Sequence, residues 1–243
     1  MVESVRIAMW SGPRNISTAM MRAWGNRTDT FVVDEPFYAF YLGATGKEHA
    51  GADEVIASGE TDWRRVIAQL TGPVPKGKRI FFQKQMAHHL LPEVDREWLG
   101  AVTNCFLIRD PREVIASYIK KREDPTLPDL GFLQQAEIFD FVCTRTNSTP
   151  PILDAKDVLE NPERMLRLLC EAVGVDFSES MLSWPPGLRE TDGVWASHWY
   201  GEVAKTTSFQ PYRPKDVKVP AHLQEIHDRC RESYDRLYEY RLR

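Results

Sequence analysis

Two short stretches of this sequence pair an arginine with hydroxyl side chains in a way suited to holding anions. In the first, Pro13-Arg14-Asn15-Ile16-Ser17-Thr18, one guanidinium, one amide and two hydroxyls follow a Gly-Pro step. In the second, Arg109-Asp110-Pro111-Arg112-Glu113-Val114-Ile115-Ala116-Ser117, an arginine precedes a serine by two helical turns. Arginine offers a planar fork of donors that matches phosphate-like oxygens. A loop that turns its N–H groups inward adds a nest for the same oxygens. The simpler reading is a surface arginine in an ordinary turn, with Ser17 and Thr18 acting as helix caps. Both roles are compatible.

The neighbouring segments are the kind that would aim such loops. Val5 to Trp10 and Val102 to Ile108 are apolar strands, each running into one of the two motifs. A helix over Ala19 to Trp24 follows the first. The second opens its own helix, with Asp110 as N-cap and Pro111 at the first helical position. Helix N-termini hold anions through free N–H groups and the positive end of the dipole, so each turn reads as an anion site. Further along, Thr30 to Asp34, Arg79 to Lys84 and Pro151 to Leu153 read as strands, and Trp63 to Leu70 has helical spacing. The order βαβαβαβα, with near-continuous apolar strands, predicts a three-layer α/β/α domain around a central parallel sheet. Ligands of such sheets bind beyond the carboxyl ends of the strands, where both motifs fall. One domain over residues 1–243 is expected. Gly43 to Gly59 reads as a surface excursion, Trp184 to Pro220 as an aperiodic lid or substrate segment, and His222 to Tyr240 as an amphipathic packing helix.

Composition narrows the function. A net charge of -4 and a pI near 5.9 argue against a nucleic-acid surface. Four scattered cysteines, without CxxC or Cys/His ligand spacing, read as reduced core thiols and suggest a cytoplasmic protein. The N-terminal residues run straight into a strand rather than a signal peptide. No apolar run approaches the roughly 20 residues of a membrane span. The first motif lacks the Gly-Lys-Ser/Thr of a Walker loop, which disfavours ordinary ATP or GTP hydrolysis.

Taken together, the motifs resemble those of sulfotransferases that use 3′-phosphoadenosine 5′-phosphosulfate (PAPS). Pro13 to Thr18 is similar to that family's phosphosulfate loop, and Arg109 to Ser117 to its 3′-phosphate segment. Ile152-Leu153-Asp154-Ala155-Lys156-Asp157-Val158-Leu159-Glu160-Asn161-Pro162 resembles a third strand-helix element. The likeness covers roughly Val5 to Phe177, and Ile16 stands where a small residue is common. It implies a P-loop NTPase-like fold and sulfuryl transfer to a hydroxyl or amino acceptor, with adenosine 3′,5′-bisphosphate (PAP) as product and no metal. It also assigns Arg14, Asn15, Ser17 and Thr18 to the phosphosulfate, and Arg109 and Ser117 to the 3′-phosphate. Ser208, beside Lys205, Thr206 and Thr207, would fold over the nucleotide. Sulfuryl transfer needs a base, and Glu35 and His88 are the two candidates, with Lys84 stabilising the bridging oxygen. Trp10, Phe37, Tyr38, Phe40 and Tyr41 read first as core and second as acceptor pocket. Trp195, His198, Trp199 and Tyr200 are better placed for the acceptor, a small molecule or short chain. Two rivals stand beside this reading: an ATP-dependent P-loop phosphotransferase, and a binder that kept the fold and altered its chemistry.

Overall fold

The computed structural model describes residues 4–214 and 217–243. Five parallel strands form one sheet: β1 (Val5–Ser11), β2 (Thr30–Asp34), β3 (Ile80–Met86), β4 (Thr103–Ile108) and β5 (Ile152–Asp154), in the order β2-β3-β1-β4-β5. Each lies within two residues of its expected span. Strands of Ile, Val, Phe and Met are buried on both faces because helices cover both. On β1, Ile7 and Met9 point into one apolar cluster, whereas Ala8 and Trp10 point into the other.

The helices are α1 (Ser17–Gly25), α2 (Tyr38–Thr45), α3 (Ala52–Ser58), α4 (Trp63–Thr71), α5 (Pro111–Tyr118), α6 (Leu127–Leu130), α7 (Phe132–Thr146), α8 (Ala155–Glu160), α9 (Pro162–Ala172), α10 (Ala196–Trp199) and α11 (Gln224–Glu239). Helices α1, α8 and α9 pack on the first face; α4, α5, α7 and α11 pack on the second. The expected three-layer α/β/α architecture is observed. One polar chain crosses the second cluster: Trp10 Nε1 donates to Asn104 Oδ1 at 2.9 Å, and Asn104 Nδ2 donates to Leu99 O at 2.8 Å. This satisfies an asparagine that would otherwise be a costly guest in a central strand.

Two segments differ from their sequence reading. The 43–59 stretch is no mere surface excursion, since α3 inserts Val55 into the first cluster. Of the 184–220 stretch, residues 184–214 are irregular but packed, with Trp184, Trp195, Tyr200 and Phe209 buried, and 215–216 lie outside the described residues. Arg22 of α1 clamps it by donating through Nη1 and Nη2 to both carboxylate oxygens of Asp192, each at 2.6 Å. Those two side chains are 1% and 2% exposed, so the pair is sealed from water. The four cysteines are free thiols, three of them buried. Among the described residues no helix is long and apolar enough to cross a membrane.

Candidate active site

A cavity of about 680 Å³ opens at the carboxyl edge of the sheet. Its floor is made by the β1–α1 loop and the residues just after β2, β3 and β4, and its roof by residues 195–210.

At one end the two arginine motifs meet. Arg14 takes a left-handed backbone conformation (φ 56°), and its Nε donates to Ser117 Oγ at 3.0 Å. Arg109 Nη1 donates to the Arg14 carbonyl at 2.8 Å. Its Nε and Nη2 hold Glu113 Oε2 at 3.0 and 2.8 Å, and Tyr212 Oη donates to Glu113 Oε1 at 2.7 Å. Arg109 is therefore braced rather than free. Burial, and then the neighbouring Arg109, lower the proton affinity of Arg14. Two neighbouring guanidiniums, of which only Arg109 has a carboxylate partner among the described residues, favour an added anion. Asn15 pins the loop to the sheet instead of reaching outward: its Nδ2 donates to Leu107 O at 2.9 Å, and its Oδ1 accepts the Ile16 N–H at 2.8 Å. Gly12 is required for the same tight approach, because a Cβ there would sit 2.7 Å from the Leu130 carbonyl oxygen.

Helix α1 starts without a side-chain cap. Its N-cap is Ile16, whereas α4, α5, α8 and α9 are capped by Asp62, Asp110, Asp154 and Asn161. The first N–H groups of an uncapped helix lack an intrahelical acceptor. Ile16, Ser17, Thr18 and Ala19 all line the cavity. The hydroxyl residues expected as caps thus lie inside the helix, leaving its end open.

At the other end a buried cation sits between two carboxylates. Lys84 Nζ donates to Asp34 Oδ1 at 2.8 Å, to Glu35 Oε1 at 2.5 Å and to Tyr200 Oη at 2.8 Å. Tyr200 Oη in turn donates to Asp34 Oδ2 at 2.6 Å. Glu35 has a left-handed backbone (φ 42°), fixed by its N–H donating to Lys84 O at 2.9 Å. Burial pushes the Glu35 carboxyl up; Lys84 opposes this and Asp34 reinforces it. Burial would lower Lys84, but Asp34 and then Glu35 hold it well above the ordinary lysine range.

His88 and His89 continue this wall. Burial drives His88 down to about 3 and His89 well below the usual imidazole value, so both are neutral. Their Nδ1 atoms have no hydrogen-bond partner among the described residues. Tyr38 stacks on His89, with ring centroids 4.7 Å apart. Trp10, Phe37 and Phe40 belong to the second apolar cluster, while Tyr38, Trp195, Trp199 and Tyr200 line the cavity. His198 is directed instead toward Gly51, where an added Cβ would lie 3.0 Å from its Nε2. From the roof, Lys205, Thr206, Thr207 and Ser208 also line the cavity.

Sequence reasoning missed His49. Its Nδ1 is 2.7 Å from Tyr38 Oη, it lines the cavity, and burial lowers it to about 4. It lies in the Gly/Ala-rich stretch, where no periodicity marks it. Lys121 and Arg122, just beyond α5, line the cavity as well and were likewise overlooked.

An open helix N-terminus and converging arginines at the carboxyl edge of a parallel sheet make an anion-accepting site on a P-loop NTPase-like α/β architecture. Residues 5–221 match the family described as "Sulfotransferase domain", and the chain belongs to that family. Two Arabidopsis thaliana proteins, named branched-chain-amino-acid aminotransferase-like proteins 1 and 2, are each 31% identical. They match 97% and 94% of this chain but only 42% and 40% of their own length. The chain thus spans about two fifths of these curated relatives. Among solved structures, the sulfotransferase domain of a Synechococcus olefin synthase superposes with a TM-score of 0.61 at 18% identity, covering 99% of this chain and 97% of that one. The sulfotransferase domain from the curacin biosynthetic pathway gives 0.55 at 15% identity, with both chains fully covered. A mouse sulfotransferase complexed with PAP gives 0.50 at 11%, covering 100% of this chain and 86% of that one. These likenesses establish the shared fold.

Proposed function

We propose that this protein is a PAPS-dependent sulfotransferase acting on a small hydroxyl or amino acceptor. One observation carries the reading: a single cavity joins an uncapped helix N-terminus and the Arg14–Arg109–Ser117 cluster to a buried carboxylate–ammonium group. The donor set fits the nucleotide. Arg14, Ser17, Thr18 and the α1 N–H groups offer charge and hydrogen bonds to the phosphosulfate, and Arg109 and Ser117 to the 3′-phosphate, with Ser208 closing from the roof. PAPS, when bound, supplies the sulfuryl group.

Glu35 is the better base of the two candidates. Burial and the Asp34 charge raise its proton affinity, whereas burial lowers that of His88. The Lys84 ammonium stands 2.5 Å from Glu35 and lines the cavity, where it can oppose negative charge on the bridging oxygen. Tyr38, His49, Trp195 and Trp199 give the acceptor aromatic walls with few polar anchors, as small-molecule sites have. Free cysteines, most of them buried, accord with a cytoplasmic setting.

Calorimetry with PAP, against ATP plus magnesium, tests the nucleotide. Selective PAP binding is expected, and a preference for ATP would instead support the phosphotransferase rival. PAP release from PAPS over an acceptor panel then tests turnover. Glu35→Gln should cut it by roughly 10²–10⁴-fold, the range for a general base, at unchanged PAP affinity. A fully active variant would transfer the role to His88.

A further inference from the structure

Lys84 has three N–H donors, and all three are engaged: one by Asp34, one by Glu35 and one by Tyr200. The two carboxylates differ in what remains to them. Asp34 is enclosed: Oδ1 accepts from Lys84, and Oδ2 accepts from Tyr200 Oη and, at 3.3 Å, from the Gly193 N–H. Its side chain is 2% exposed. Glu35 uses Oε1 for Lys84, while Oε2 accepts no hydrogen bond among the described residues, and Glu35 borders the cavity.

Glu35 is surrounded by Asp34 on β2, Lys84 on β3, His89 in the turn after β3, Tyr38 on α2, and Tyr200 after α10. His89 Nδ1 stands 4.0 Å from Glu35 Oε2. His89 is held neutral by burial, and both tyrosines are pushed above the ordinary phenol range. Two carboxylates thus share one ammonium, with one negative charge in excess. The sealed surroundings of Asp34 and Lys84, each 2% exposed, disfavour that excess, and a proton delivered to Glu35 from the cavity side removes it.

We propose that Asp34 is a positioning residue: it holds the Lys84 ammonium and the 193–200 stretch in place and leaves Glu35 with a surplus negative charge that, added to its burial, favours a proton there. The proposal rests on the sulfotransferase reading only for the origin of that proton, the acceptor. Were Asp34 neutral, Lys84 and Glu35 would form an ordinary one-to-one pair, and only burial, opposed by Lys84, would favour a proton on Glu35. A purely structural Asp34, tying Tyr200 to the sheet, would leave the proton affinity of Glu35 unchanged.

The test reads Glu35 directly and needs no acceptor. Protein labelled with ¹³C at the glutamate carboxyl is titrated by NMR, with the Glu35 resonance assigned by its loss in Glu35→Gln. In Asp34→Asn the Glu35 midpoint should fall by about one pH unit or more, a tenfold change in proton affinity. An unmoved midpoint overturns the proposal. Should Asp34→Asn fail to fold, Tyr200→Phe decides. In that variant, combined with Asp34→Ser, which removes the charge but keeps a small hydroxyl, the midpoint should again fall below that of Tyr200→Phe alone, and one that does not fall overturns the proposal. Wild-type PAP affinity, measured alongside, tests the nucleotide reading by itself. Absent PAP binding with a shifted midpoint removes that reading and keeps the coupling; PAP binding with an unmoved midpoint removes the coupling alone.

Discussion

The β1–α1 and β4–α5 turns share a plan, strand then arginine then helix, yet they present anion-binding groups by different means. At α5 the helix end is capped by a side chain. Asp110 Oδ1 accepts the Arg112 N–H at 2.8 Å, Pro111 contributes no donor, and Asp110 Oδ2 takes Arg231 Nη1 at 2.7 Å. Side chains, among them Arg109, Ser117 and Tyr118, are what this turn and helix present to the cavity. At α1 no side chain caps the helix, so backbone and side chains are both available. A motif that looks like a helix-dipole site in sequence can therefore be a side-chain site in fact, and the difference is one carboxylate.

That contrast can be broken at several points. The 184–220 segment is clamped to α1 by a sealed ion pair and to α5, among the described residues, only by the single Tyr212–Glu113 hydrogen bond, so Asp192→Ala should have the largest effect. It leaves Arg22 buried without its partner, which costs about 3–5 kcal/mol. Urea unfolding measures it, and wild-type stability would show that the clamp contributes nothing. Arg109→Ala should weaken PAP binding by about 1.5–3 kcal/mol, as loss of a charge-assisted contact does. Unchanged affinity in calorimetry would take the second turn out of the nucleotide site.

The β5–α8 turn extends the comparison to a buried cap. Asp154 caps α8 through the Lys156 N–H and accepts from Tyr234 Oη at 2.9 Å, yet burial raises its carboxyl to about 6 from an ordinary 3.8. A raised carboxyl contributes stability in its protonated form. That contribution is complete below the ordinary value and is lost as pH climbs through the folded one. Asp154→Asn should therefore gain on wild type between about pH 4 and about pH 6, and hold level above. Unfolding at a series of pH values checks this, and a flat difference would contradict it. Smallest of all, Asp110→Ala should cost about 0.5–2 kcal/mol of stability, the usual worth of a cap, with PAP affinity retained. A large loss of affinity would mean that the α5 end, and not just its side chains, serves the anion.

Much of the framework was legible. The five strands are short apolar runs bounded by Gly, Pro and Asp, and burial on both faces leaves such runs few alternatives. Asp110-Pro111 announced a helix start, and the structure has one there. Ser17 and Thr18 were harder, because hydroxyls near a helix start serve equally as caps or ligands. The direction of each side chain separates those roles. His49 and Arg122 carried no local signal. They reach the cavity only because α2, α3 and the stretch after α5 pack around it.

Local chemistry along the chain dictated the parallel sheet, the two arginine turns and the aperiodic roof, because strand burial, capping and chain stiffness act between near neighbours. Tertiary packing decided the rest. It set Arg14 against Ser117, 103 positions apart, and closed Lys84 between Asp34, Glu35 and Tyr200. Burial and proximity set the proton affinities of those groups, and both exist only once distant segments share one wall.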